Sequence, residues 1–140
     1  MNYTQVVEIK SSAENTFITI TEKLNDWWGK TDFPVKKLGD EFTTSFGKAY
    51  WKFRVIEFNP IKKVTWSCIG GEPEFNAEWI GTTIYWEIKP FENHTKLSFE
   101  HVGLTPALPC YNICAPTWEM FISKSLKKYL ETGKGEPHNF

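Results

Sequence analysis

Gly81 to Leu104 reads GTTIYWEIKPFENHTKLSFEHVGL, two runs of alternating residues with turn chemistry between them. Ile84, Trp86 and Ile88 fall on one side of the first run and Tyr85 and Glu87 on the other, as successive side chains do in a strand. Leu97, Phe99 and His101 share a face of the second run, opposite Lys96, Ser98 and Glu100. Asn93 and His94, following Pro90-Phe91-Glu92, supply the turn, so the stretch predicts an antiparallel hairpin with one apolar face. His101 is the polar ring on that face, and the question it raises is whether the face covers a solid core or a cavity.

Downstream, Thr105 to Pro109 predicts a stiff non-helical connection, because proline continues neither a ladder nor a helix interior. Ala115-Pro116-Thr117 then predicts the first turn of a long helix, with Trp118, Phe121, Ile122, Ser125, Leu126 and Tyr129 on its apolar face, Lys124, Lys127 and Lys128 opposite, and Gly133 at its end. Residues 134–140 read as a flexible polar tail outside a single domain spanning 1–133. Upstream, Tyr3 to Lys10 predicts a strand. Ser11-Ser12-Ala13-Glu14 predicts a capping box opening a helix whose stripe is Ala13, Phe17, Ile20, Leu24 and one of Trp27 and Trp28. Strands ending near Phe46 and running over Tyr50–Phe58 and Val64–Cys68 follow, the last broken by Gly70-Gly71-Glu72-Pro73. Strand, helix, antiparallel meander and long terminal helix make an α+β domain in which a curved sheet grips one helix.

Sixteen basic residues against 17 acidic ones, scattered without a long run, argue against nucleic acid as a partner. No stretch approaches the about 18 apolar residues of a membrane span, and the N-terminus reads as a strand and not as a secretory signal, so no membrane insertion and a cytoplasmic location are expected. Three cysteines, an odd and sparse set, do not make a disulfide framework. Cys110 and Cys114 form a C-x3-C pair without a second pair nearby, which reads as two reduced thiols, and neither metal nor cofactor is expected. Aromatic residues reach 16%, with seven tryptophans, enough either to fill a core or to line a pocket for an apolar ligand.

The order Val55-Ile56-Glu57-Phe58-Asn59-Pro60, Val64-Thr65-Trp66, Gly81-Thr82, Thr95-Lys96-Leu97, His101-Val102-Gly103-Leu104, and Trp118 through Ser125-Leu126-Lys127-Lys128-Tyr129-Leu130-Glu131-Thr132-Gly133 resembles the START-like (SRPBCC) superfamily, in the branch named after the activator of the heat-shock-protein ATPase. The resemblance covers roughly residues 5 to 133. It implies a helix-grip fold with a cavity between sheet and C-terminal helix, in which members bind hydrophobic molecules and a few catalyse cyclisation or hydrolysis. Unlike the co-chaperone members, the chain is expected to be a lone domain.

Three functions are therefore open. The first is a non-enzymatic binder of a small hydrophobic or aromatic molecule, in a cavity lined by Trp51, Phe53, Trp66, Trp86, Phe99, His101, Trp118 and Ile122. The second is a co-chaperone-type interaction module whose partner is a heat-shock ATPase. The third is a cyclase or hydrolase using His101, a side chain whose charge is easily tuned near neutrality. Each has a plain counterpart: a buried histidine satisfied by a neighbour, and tryptophans that pack a core.

Overall fold

A computed structural model describes residues 1–138, with every side chain in that span except those of Glu74 and Phe75. Its backbone is a seven-stranded antiparallel sheet in the order β1-β7-β6-β5-β4-β3-β2, curled around a C-terminal helix. The strands are β1 Tyr3–Ile9, β2 Lys30–Thr31, β3 Glu41–Phe46, β4 Ala49–Asn59, β5 Lys63–Glu72, β6 Thr83–Pro90 and β7 Thr95–Val102. The predicted helix-grip α+β architecture is therefore the observed one.

The hairpin of β6 and β7 has the predicted faces. Ile84 pairs with His101, Trp86 with Phe99 and Ile88 with Leu97, and all six side chains are buried. Curvature comes from two bulges in the neighbouring β4–β5 ladder. One leaves Ile69 unpaired between the Lys52–Gly70 and Phe53–Cys68 pairs, and the other leaves Ile56 unpaired between Val55–Trp66 and Glu57–Thr65. Each extra residue resets the alternation and bends the strand, so that beyond Ile56 it is Phe58 that turns inward, its ring 5.4 Å from that of Phe17.

Four sequence expectations are corrected. The helix expected from residue 13 to the tryptophans is two pieces, α1 Ala13–Glu22 and α2 Leu24–Trp27, broken at Lys23. Thr16, Thr19 and Thr21 turn their hydroxyls back onto carbonyls four residues earlier, a habit that weakens helices rich in such residues. The cap is Ser12, whose Oγ accepts from the Asn15 amide, so Glu14 falls one position short of the answering place in a capping box. β5 runs through Gly70 and Gly71 to Glu72 instead of breaking there. The C-terminal helix starts four residues early, at Tyr111, and encloses Pro116.

That helix runs 22 residues in three parts: α3 Tyr111–Met120, a π-helical turn over Phe121–Leu126, and α4 Lys127–Thr132, ended by left-handed Gly133. Of the tail expected over 134–140, residues 139 and 140 lie outside the described residues. Residues 134–138 turn back along the domain: the Glu136 amide donates to Ser125 Oγ at 2.7 Å and the His138 amide to the Trp28 carbonyl at 2.8 Å. Gly135 makes the return possible, since a Cβ there would collide with the Asp26 carbonyl. Among the described residues, no helix is long and apolar enough to cross a membrane.

Candidate functional site

The interior divides into a packed part and a hollow part. In the packed part, His101 is fully buried and both of its ring nitrogens are engaged. The Trp118 indole N–H donates to Nδ1 at 3.1 Å, which assigns the remaining proton to Nε2, and that N–H donates to Thr82 Oγ1 at 2.8 Å. The Thr82 hydroxyl in turn donates to the Trp79 carbonyl at 2.6 Å. The chain of bonds closes on a neutral imidazole, and burial lowers the histidine to a pKa of about 3. Such a ring anchors Trp118 and Thr82 and is poorly suited to take a proton from a substrate.

The hollow part lies at the other end of the helix contact, a cavity of about 170 Å³. The sheet contributes Phe46 at the end of β3 and Trp51 in β4, and α2 is followed at once by Trp28. The C-terminal helix supplies Ile113, Cys114, Thr117, Trp118 and Phe121, the last at the start of the π-helical turn. Trp79, from a 3-10 turn over Glu74–Trp79, and His138, from the returning tail, complete the wall.

Four indoles stand in a nearly parallel column along this wall. Trp51 and Trp79 stack with centroids 4.0 Å apart and planes 17° apart, Trp79 and Trp118 at 5.7 Å and 15°, and Trp118 and Trp28 at 5.1 Å and 22°. Phe46 stands edge-on to the two ends of the column, 5.3 Å from Trp51 and 5.6 Å from Trp28, and the His138 ring meets Phe46 at 5.4 Å.

Backbone proximity brings Trp79 into place. The Trp51 indole donates to the Asn76 carbonyl at 3.1 Å and the Asn76 amide group to the Tyr50 carbonyl at 3.2 Å, strapping the 3-10 turn across β4. Gly71 permits the approach, because a Cβ on it would overlap the Asn76 carbonyl. The glycine pair is thus a place of close contact within a strand, where the sequence alone suggested a break.

Of the eight residues expected to line a cavity, Trp51 and Trp118 line this one. Phe53, Trp66, Trp86, Phe99, His101 and Ile122 are all buried and packed elsewhere in the core, Trp66 against Phe42 and Trp86 and Phe99 against one another. The residues that alternation missed are Trp28, Phe46, Trp79, Ile113, Cys114, Thr117, Phe121 and His138. One signal was available: of the adjacent Trp27 and Trp28, Trp27 is core, bonded to the Thr19 carbonyl, and Trp28 reaches the cavity.

Among the described residues, the wall carries no carboxylate, lysine or arginine, and no cluster of side chains that could hold a metal ion occurs. Burial keeps the Cys114 thiol protonated well above the ordinary thiol range. Flat aromatic faces with one hydroxyl, one thiol and one imidazole among them suit an apolar planar guest.

No protein-family model matches the chain, and no curated protein matches its sequence. Solved structures do. The Aha1 dimer of Colwellia psychrerythraea superposes with a TM-score of 0.82 at 28% identity, covering 96% of this chain and 99% of its own. MLL2253 of Mesorhizobium loti gives a TM-score of 0.75 at 22% identity, covering 91% of this chain and 96% of its own. DynU16, a protein of the dynemicin biosynthetic locus, gives a TM-score of 0.74 at 20% identity over 96% of this chain and 48% of its own.

Proposed function

We propose, from the premise that this chain is a START-like protein of the branch named after the activator of the heat-shock-protein ATPase, that it binds a small, flat, uncharged aromatic molecule in the cavity between β3, β4 and the C-terminal helix. The observation that carries the reading is the column of Trp51, Trp79, Trp118 and Trp28 beside a largely apolar space of about 170 Å³. An apolar cavity of about 150 Å³ suffices for benzene, so a one- or two-ring guest fits the volume. Its burial contributes about 25 cal/mol per Å² of apolar surface, and each well-set aromatic contact adds about 0.5–1.5 kcal/mol. The lining carries no carboxylate, lysine or arginine, and burial keeps its one thiol, Cys114, protonated, which favours binding without turnover.

Thermal denaturation with indole, naphthalene and their anionic analogues tests this. A neutral flat ligand at 100 times its Kd stabilises the fold by about 2.7 kcal/mol, whereas the anions leave the Tm unchanged. If no flat aromatic raises the Tm, and native mass spectrometry of protein from its own host finds no retained molecule, the binder reading fails. A contact with a heat-shock ATPase is the second reading. It rests on the resemblance of the sequence to the branch named after the activator of that ATPase, and absence of stimulation in an ATPase assay with the host's enzyme removes it.

A further inference from the structure

The C-x3-C pair has a use that ligand binding does not absorb. Cys110 is the residue before the first turn of α3 and Cys114 lies one turn on, its amide bonded to the Cys110 carbonyl at 2.8 Å. Their sulfurs are 2.7 Å apart. A disulfide needs its sulfurs about 2.05 Å apart and its Cβ atoms about 3.5–4.5 Å apart, closer than the about 5–6 Å of i,i+4 helical positions, so closing the bridge shifts the first turn of α3, where Cys110 sits outside the helix proper. The two thiols differ in access: Cys114 forms part of the cavity wall, whereas Cys110 does not line it. The third cysteine, Cys68, is buried in β5 and donates to the Gly70 carbonyl, away from both.

We propose that Cys110 and Cys114 form a reversible oxidation site served by a small hydroperoxide entering through the cavity. Cys114 loses its proton, and its sulfur attacks one peroxide oxygen. The O–O bond breaks, leaving a sulfenic acid on Cys114 and a hydroxide that takes up the released proton as water. The Cys110 sulfur then attacks the Cys114 sulfur, the S–O bond breaks, and the leaving hydroxide takes the Cys110 proton as a second water. In sum, two thiols give up two electrons and two protons, one disulfide forms, and hydrogen peroxide is reduced to two waters. Because burial, the neighbouring Cys110 thiol and the Glu78 carboxylate, which accepts from the Cys110 amide, hold the Cys114 thiol protonated above its ordinary range, the first step is slow at neutral pH. Its rate rises about tenfold per pH unit below the thiolate range, since only the thiolate is nucleophilic. The site is independent of ligand identity, although any guest that fills the cavity shields it.

Peroxide treatment of the whole chain, followed by alkylation and tryptic mass mapping, tests the proposal. Cys110 and Cys114 fall on one tryptic peptide and Cys68 on another. The expected result is a peptide lighter by two hydrogens and carrying no alkyl group, beside a fully alkylated Cys68 peptide, with dithiothreitol restoring both thiols. Alkylation of both Cys110 and Cys114 after treatment overturns the proposal, as does oxidation that ends at a sulfinic or sulfonic Cys114. In C110S, a sulfenic acid at Cys114 is expected to be trapped by dimedone. In C114S, Cys110 is expected to react at least tenfold more slowly than Cys114 does in the unaltered chain, and an equal rate would overturn entry through the cavity. Should either variant fail to fold by circular dichroism, the mapping of the unaltered chain decides alone.

Discussion

Trp118 belongs to two neighbourhoods made of the same residue type and put to opposite uses. On one side its indole N–H is bonded to His101, and its ring meets those of Trp86 and Phe99, both buried. On the other its ring stacks on Trp28 beside a cavity rimmed by Phe46 and Trp51. In the first region His101, Trp86 and Phe99 come from regular β6–β7 pairing and Trp118 from the helix facing it. The second is assembled where a bulged strand, a 3-10 turn, a helix end and a returning tail meet, and these cannot all fill one space. Hollow volume follows from irregular backbone, and aromatic content alone does not predict it.

The largest expected effect is in the packed region. Trp66→Ala, at a site with no exposure, should cost about 3–5 kcal/mol in urea denaturation, and a loss below 1 kcal/mol would mean that the packed side also has slack.

Acid should break the same region next. The unfolded chain protonates its histidines below about 6.5, whereas His101 in the fold resists down to about 3. The unfolded state therefore binds the extra proton throughout that window. The stability that neutral His101 contributes is complete above about pH 6.5 and is lost as the pH falls toward 3, at up to about 1.4 kcal/mol per pH unit. His101→Gln should remove this part of the slope, and its ligand affinity should match that of the unaltered chain, since His101 does not line the cavity. An unchanged slope would place the titration elsewhere.

A smaller effect is expected where the tail meets the helix. The Ser125 hydroxyl donates to the Trp27 carbonyl at 2.5 Å and accepts from the Glu136 amide, so Ser125→Ala should cost about 1–3 kcal/mol and raise amide exchange over residues 134–138. Smallest for stability is Thr117→Phe at the exposed rim of the cavity, expected within about 0.5 kcal/mol of the unaltered chain. It should nonetheless abolish stabilisation by flat aromatics, because the added ring occupies their place.

The sequence made the packed region legible and the cavity obscure, and the reason is periodicity. Ile84, Trp86, Leu97, Phe99 and His101 face inward with a period of two, a pattern that can be read without coordinates. Inward, however, does not mean facing a void, and the same reading assigned Phe53, Trp66 and Trp86 to a cavity although they sit in solid core. Trp79 carries no periodic signal: it follows Gly71 and Pro73 in a turn whose position depends on one missing Cβ. His138 reaches the wall through a tail whose composition suggested no packing. His101 is the polar residue of its face, and its partners Trp118 and Thr82 explain why it is there.

The central claim is that ligand space lies at the Trp51–Trp79–Phe46 end of the interior and not against His101. A crystal structure of the protein soaked with a bromine-labelled naphthalene tests it most directly, since the anomalous signal locates the guest. The account predicts one bromine peak between Phe46, Trp51 and Phe121, with the His101 bonds to Trp118 and Thr82 intact. A peak beside His101, Phe99 and Ile122, with those bonds broken, would contradict it.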